Sequence, residues 1–142
     1  MNPKSDINRI VDYFERKAEI SALYIFGSAA KGRETAESDI DIAVLINDQK
    51  KGRRTYETLK KTYYAASPKL SSRPVQIVIL NMAPPFLKYR IIKTGKVLFD
   101  KNRRLRVSLT ANAIIEYFDY KPIEDIFLKA VAGRFMRNAV GR

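Results

Sequence analysis

Residues 24–46, YIFGSAAKGRETAESDIDIAVLI, decide the fold of this chain. They hold two apolar runs, one ending at Gly27 and one beginning after Asp39, and each run has the pattern of a β-strand. Because side chains alternate along a strand, Asp39 and Asp41 share one face, about 6.6 Å apart along it. The opposite face carries the apolar side chains Ile40, Ile42, Val44 and Ile46. Two carboxylates held together beside a core favour a pair of hard divalent ions, usually Mg²⁺, which are common partners of nucleoside triphosphates.

The composition sets the size and class of the protein. A chain of 142 residues with 46% hydrophobic residues can bury one core, so we expect a single domain over residues 1–142. It has no run of about 18 apolar residues and no apolar signal region at the N-terminus, which predicts a cytoplasmic protein that does not span a membrane. With no Cys and no His, disulfides, thiol or imidazole catalysis and the usual zinc ligands are excluded.

The formal net charge of +12 predicts attraction to polyanions or to an acidic partner protein. Basic residues crowd residues 50–73 and recur at residues 101–106. A solvated helix face explains this pattern as well as a partner-binding surface does. No RNA-binding aromatic motif or major-groove helix accompanies the charge, so nucleic acid is a secondary expectation.

Hydrophobic spacing and turn residues predict helices alternating with a few strands. The first predicted elements are a helix capped by Ser5, a strand over residues 22–26, a short helical turn over 28–31 and a strand over Ile40–Ile46. A basic helix over 53–66 and a strand over 75–80 follow. The last elements are a helix opened by Pro84 and Pro85 and ended by Gly95, a strand over 96–99, and a helical part from about residue 103 that Pro122 kinks or separates. This order predicts an α/β domain with one small sheet and helices mainly on one side. The apolar face around Ile123, Phe127 and Val131 is expected to pack within the chain, with docking of a partner helix as the alternative.

Gly27 and Ser28, followed by ten residues and then Asp39-Ile40-Asp41, resemble the signature of the polymerase-beta-type nucleotidyltransferase superfamily. The later stretch RPVQIVILNMAPPFLKYRIIKTGKVLF, residues 73–99, resembles the third strand, proline-led helix and Gly-Lys turn of the minimal nucleotidyltransferases (MNT), which are encoded beside HEPN partners. The resemblance extends to about Lys129. It implies an α/β nucleotidyltransferase fold, like the palm of polymerase beta, with a small mixed sheet packed by helices.

Each part of this resemblance has a physical reason. A glycine at position 27 lets the backbone turn sharply and approach a triphosphate, and the Ser28 hydroxyl and nearby N–H groups can donate to its phosphates. Asp39 and Asp41 would hold the Mg²⁺ that bridges those phosphates, while a second ion would activate the attacking hydroxyl. Lys31 and Arg33 are candidates to neutralise phosphate charge. The alternative of a phosphate-binding P-loop fails, because Arg33-Glu34 stand where Lys and Ser or Thr are required.

One position departs from the family pattern. Active members place a third carboxylate on the next strand, and alignment of VQIVILN puts Gln76 there. An amide supplies neither negative charge nor a basic oxygen, so the site could hold one ion instead of two, and general-base contributions are typically about 10²-fold to 10⁴-fold. Other carboxylates could substitute in space, although no spacing argument selects one: Glu37, Asp48, Asp100, Asp119 and Asp125.

Two functions of different classes remain open. In the first, the chain transfers AMP from Mg²⁺-ATP to a hydroxyl, which the resemblance implies to be a tyrosine of a HEPN ribonuclease toxin that is silenced by the modification. In the second, the chain is a catalytically impaired antitoxin or accessory subunit that neutralises its HEPN partner by binding. Gln76 is the feature that separates the two.

Overall fold

The computed structural model describes residues 3–30, 32, 38–47 and 52–140 of the chain. Its elements, in order, are α1 (Pro3–Glu15), β1 (Ile20–Phe26), β2 (Ile40–Ile46), α2 (Arg53–Leu70), β3 (Val75–Ile79), a 3₁₀ turn (Leu80–Met82), α3 (Pro85–Thr94), β4 (Lys96–Asp100) and α4 (Arg103–Val140). The predicted α/β order of helices and strands is confirmed.

The four strands form one mixed sheet in the order β3-β2-β1-β4. Strand β1 is antiparallel to both β2 and β4, whereas β2 is parallel to β3. A parallel pair needs a crossover connection, and α2 supplies it between β2 and β3. In this register Asp41 lies opposite Phe26 of β1 on one side and opposite Gln76 of β3 on the other.

Helices cover both faces of the sheet, so the expectation of helices mainly on one side was wrong. One face packs against α1 and α2, with Phe14 and Tyr63 in its core. The other packs against α3 and α4, through Ile91 and Leu109. The reason lies in β2, where both sets of alternating residues are apolar beyond Asp41, as expected of a strand buried on both faces.

Several helix ends differ from the sequence predictions. Helix α1 begins at Pro3, so Ser5 does not cap it; the Ser5 hydroxyl instead accepts a hydrogen bond from Arg9 at 2.8 Å. Helix α2 continues to Leu70 with Pro68 inside it. A proline lacks the N–H that would reach the carbonyl four residues earlier, and the Ser67 hydroxyl donates to that carbonyl, on Tyr64, at 2.8 Å.

The last helix, α4, is a single helix, with Pro122 inside it rather than between two helices. The side chain of Asn102 caps its start by accepting a hydrogen bond from the N–H of Leu105 at 3.1 Å. Among the described side chains of α4, Ala113 is the last buried one. Ile123, Phe127 and Val131 are all half or more exposed, so the expectation that they pack within the chain was wrong. Nowhere in the described residues is a helix both long and apolar enough to cross a membrane.

Candidate nucleotide and metal site

The two aspartates lie at the start of β2, on the face of the sheet that α3 and α4 cover. Asp39 directly precedes the strand and is exposed, whereas Asp41 is its second residue and is partly buried. Further along the same face, Ala43 and Leu45 belong to the core beneath α3 and α4. The carboxylates therefore stand at the edge of that core, next to each other and open to solvent on one side.

Electrostatics at Asp41 favour a bound cation. Burial, and in addition the neighbouring charge of Asp39, raises the pKa of the Asp41 carboxyl above its ordinary value. Both causes disfavour the ionised form of Asp41. A divalent cation between the two carboxylates would cancel the repulsion from Asp39 and offset the cost of burying the charge. The pair thus has an electrostatic reason to bind a cation.

The backbone of the turn after β1 lies close to the carboxylate of Asp41. Gly27 has φ +71°, and a Cβ atom built on it would lie 2.3 Å from Oδ2 of Asp41. Any larger residue would therefore collide with the carboxylate as well as adopt a strained backbone. Ser28 follows in this turn and is half-buried. Ala30, at the end of the turn, is buried and packs in the core beneath α1 and α2. The structure has a turn at residues 27–30 where the sequence predicted a short helical turn over 28–31.

Gln76 lies where the resemblance predicts, beside the aspartates. It pairs with Asp41 across the parallel strands, and its Nε2 donates a long hydrogen bond of 3.5 Å to Oδ2 of Asp39. A rotation of the amide by 180° about its terminal bond would exchange N for O and turn this donor into an oxygen ligand. Gln76 is thus in contact with the acidic pair without adding charge to it.

No described carboxylate takes the place of the third acid. Asp100 lies opposite Ala22, near the end of β1 far from Gly27, and forms a salt bridge with Arg106 at 2.5 Å. Asp119 and Asp125 are exposed on α4, beyond Ala113, its last buried described side chain. Within the described residues no group of three or more acidic side chains could hold a metal. Glu37 and Asp48 lie outside the described residues.

A cleft of about 210 Å³ opens beside Asp41. It is lined by Phe26, Gly27, Asp41, Leu87, Arg90 and Thr94. Small-molecule sites commonly have about 300–1,000 Å³, so this cleft has room for part of a nucleotide. Sequence reasoning missed Arg90, an exposed cation on α3. The signal for it was the spacing of Leu87, Arg90 and Thr94, which places them on one face of that helix.

The loop before β3 holds the start of β2 in position. The guanidinium of Arg73 donates to the carbonyl of Ser38 at 3.5 Å, and the N–H of Ile40 donates to the carbonyl of Pro74 at 2.9 Å. Arg73 is itself buried, and its Nε lies 3.8 Å from the buried carboxylate of Asp6 on α1. These contacts hold the backbone on both sides of Asp39, at Ser38 and Ile40. The position of the Asp39 carboxylate therefore depends on the loop before β3 and, through Arg73 and Asp6, on α1.

The donor set fits Mg²⁺. Two carboxylates and one amide supply hard oxygen ligands, and a hexacoordinate ion fills its other positions with water or phosphate oxygens. The set carries two negative charges, fewer than a three-carboxylate site. Lys31 and Arg33, the other predicted phosphate ligands, lie outside the described residues.

Comparisons with known proteins identify the family and the fold of this chain. A family model described as polymerase beta, nucleotidyltransferase, matches residues 8–104. No curated protein matches the chain. A crystal structure of a toxin–antitoxin with AMP-PNP has 23% identity and a TM-score of 0.67, covering 92% of this chain and 99% of that chain. A mutant form of the toxin–antitoxin MntA–HpeT has 26% identity and a TM-score of 0.65, covering 93% of this chain and 98% of that chain.

A third similar structure contains a tri-AMPylated HEPN toxin from Shewanella oneidensis in complex with its MNT antitoxin. It has 22% identity and a TM-score of 0.65, and the match covers 91% of this chain and 98% of that chain. The three structures share the fold of this chain over nearly its whole length. Because the family model covers more than half of the chain, the protein belongs to the polymerase beta nucleotidyltransferase family.

Proposed function

We propose that this protein is a Mg²⁺-dependent nucleotidyltransferase of the MNT type, which transfers AMP from ATP to a hydroxyl of a HEPN-type toxin and so acts as its antitoxin in the cytoplasm. The single observation that carries the proposal is the contact of Gly27 with Asp41, beside Asp39, at the mouth of a cleft. The similar structures support it, since one holds AMP-PNP and another holds a toxin that carries AMP groups.

The proposal gives each residue of the site a role. Asp39 and Asp41 would hold Mg²⁺, which when bound neutralises phosphate charge and lowers the pKa of an attacking hydroxyl. Gly27 leaves room for the carboxylate of Asp41 and for a close phosphate, and Ser28 donates its hydroxyl to the same phosphates. Arg90, which lines the same cleft from α3, supplies positive charge.

The reaction joins the acceptor oxygen to the α-phosphorus of ATP. The bond from that phosphorus to the bridging oxygen of the β-phosphate breaks, pyrophosphate leaves, and the acceptor proton passes to water. A tyrosine hydroxyl is the proposed acceptor. Lys31 and Arg33 remain candidates to hold the triphosphate.

The second candidate function is neutralisation of the toxin by binding alone. The observation that favours it is Gln76, an amide at 3.5 Å from Asp39 in the position of the third carboxylate. In that case nucleotide binding by Asp39 and Asp41 is vestigial or regulatory.

One labelling experiment separates the two functions. The chain, its HEPN-type partner, Mg²⁺ and ATP labelled at the α-phosphate are incubated, and label on the partner is measured. Transfer by the wild type that disappears in the Asp39→Asn, Asp41→Asn double variant supports the enzyme. If the wild type transfers nothing while Gln76→Asp does, the chain acts by binding.

A further inference from the structure

The turn between α3 and β4 brings the end of α3 against the end of β1 at Gly95. The N–H of Gly95 donates to the carbonyl of Ile91 at 2.8 Å and so closes the last turn of the helix. A Cβ atom built on Gly95 would lie 2.5 Å from that carbonyl oxygen and 3.0 Å from the carbonyl oxygen of Ile25 on β1. Both oxygens belong to the backbone, so no side-chain rotation can make room for the Cβ. Glycine therefore allows the two segments to approach this closely.

The space around Gly95, and not its backbone conformation, requires a glycine. Gly95 has φ −80° and ψ 170°, which every type of residue adopts readily. A Cβ atom on Gly95 would also lie 3.5 Å from the Cβ of Phe26, the residue directly before Gly27. The end of α3 is therefore fixed to β1 immediately beside the contact between Gly27 and Asp41.

The last turns of α3 form one side of the cleft beside Asp41. Leu87, Arg90 and Thr94 line the cleft from this helix. Thr94 directly precedes Gly95, and its hydroxyl donates to the carbonyl of Arg90 at 2.7 Å. The backbone that carries Arg90 is thus continuous with the turn that Gly95 closes. A displacement of this turn would move the guanidinium of Arg90 relative to Asp41.

A methyl group added at Gly95 would displace the end of α3 rather than β1. Strand β1 pairs with β2 on one side and with β4 on the other, and nearly all of its residues are buried. The end of α3 is less constrained, since Arg90, Lys93 and Thr94 are exposed. Carbon contacts are favourable at roughly 3.5 Å, so relief of the 2.5 Å contact with the carbonyl of Ile91 requires the last turn of α3 to move by about 1 Å.

We propose that Gly95 is a positioning residue of the nucleotide site, because its missing Cβ sets the distance between Arg90 and Asp41. The inference rests on the function proposed above, which makes Mg²⁺-ATP the ligand of the cleft. A hydrogen bond from a guanidinium to a phosphate oxygen has a length of about 2.7–2.9 Å. A shift of about 1 Å at the end of α3 is enough to break such a bond. Gly95 thus acts through Arg90 and contacts neither the ion nor the nucleotide.

The test compares alanine at Gly95 with alanine at Gly52, which precedes α2 on the other face of the sheet. Gly52 has φ −73°, and no described atom lies within 4 Å of a Cβ built on it. Calorimetric titration should show that Gly95→Ala raises the Kd for Mg²⁺-ATP about tenfold, as loss of the Arg90 contact would. Gly52→Ala should change this Kd by less than about twofold.

A second pair of variants tests whether Gly95 acts through Arg90. In a chain that already carries Arg90→Ala, Gly95→Ala should raise the Kd by less than a further factor of about two, because the bond that it breaks is then absent. The buried side chain of Ile91 and the stacking of Tyr89 on Tyr117 at 3.9 Å hold the rest of α3 in place. Gly95→Ala should therefore fold, and thermal melts of all the variants measure this.

The outcomes are distinct. If Gly95→Ala binds Mg²⁺-ATP as tightly as the wild type, the positioning role is overturned, while AMP transfer to the partner still supports the proposed function. If Gly95→Ala weakens binding equally with and without Arg90, it acts through another group and the proposal is wrong. A Gly95→Ala chain that does not fold, beside a folded Gly52→Ala, assigns Gly95 to the stability of the fold and also overturns the proposal. If the wild type binds no Mg²⁺-ATP, both the positioning role and the proposed function are overturned.

Discussion

Substitution of Gly27 by alanine probes the central contact of the site. The backbone of Gly27 has φ +71°, and such a conformation costs a residue with a Cβ about 1–2 kcal/mol. The new Cβ would in addition lie 2.3 Å from Oδ2 of Asp41. Since carbon contacts are favourable at roughly 3.5 Å, the carboxylate must move by about 1 Å.

Gly32 provides a matched control. Its φ is +67°, close to that of Gly27, and no described atom lies within 4 Å of a Cβ built on it. Alanine at either glycine should therefore lower the Tm by a similar amount, about 3–7 °C for a domain of this size. Only Gly27→Ala displaces the carboxylate of Asp41.

The two variants should differ in chemistry. A shift of about 1 Å at a reacting centre can cost on the order of 10²-fold in rate, so Gly27→Ala should lose about that factor in AMP transfer and should bind Mg²⁺-ATP more weakly. Gly32→Ala should retain both. The assays are α-labelled ATP transfer to the partner and calorimetry with Mg²⁺-ATP. Equal behaviour of the two variants would refute the role given to the contact between Gly27 and Asp41.

Three further predictions concern single side chains. The pKa of Asp41 is raised, so its ionised form destabilises the metal-free fold and Asp41→Asn should raise the Tm at pH 7. This gain in Tm should vanish below pH 3.8, the ordinary pKa of an aspartate, because the carboxyl is then protonated in both the folded and the unfolded chain. Thermal melts of both proteins from pH 3 to 8 measure the difference in Tm. Gln76→Asp should raise transfer by about 10²-fold or more in labelling assays, and an unchanged rate would exclude a missing base as the limit. Arg90→Ala should raise the KM for ATP about tenfold, while Lys93→Ala on the same helix should not; equal effects would remove Arg90 from the site.

The sequence could predict the part of the site that lies on one strand. Strand β2 has the same bounds in the sequence prediction and in the structure, because its apolar residues alternate with the aspartates and then continue into the core. The contact between Gly27 and Asp41 joins neighbouring strands, so the motif spacing was enough to place these residues together. Gln76 lies beside them because α2 returns the chain to a parallel strand.

Other features depend on packing that no local pattern specifies. Arg90 reaches the cleft only because α3 crosses the sheet next to β1, and its spacing with Leu87 and Thr94 does not say which surface that helix face meets. Likewise, the apolar spacing of Ile123 and Phe127 predicts a helix face that packs within the chain, whereas no element of the described structure lies against it and both side chains are 65% exposed. The sequence prediction ended α2 before Pro68, whereas in the structure the helix continues through it and the Ser67 hydroxyl donates to the Tyr64 carbonyl that the proline cannot reach.

The most direct test of the central claim is calorimetric titration of ATP into this protein with Mg²⁺ and with EDTA. The account predicts ATP binding that requires Mg²⁺ and that disappears in the Asp39→Asn, Asp41→Asn double variant, since these two carboxylates are the proposed ligands of the ion. ATP binding of the same affinity in EDTA, or in the double variant with Mg²⁺, would contradict it.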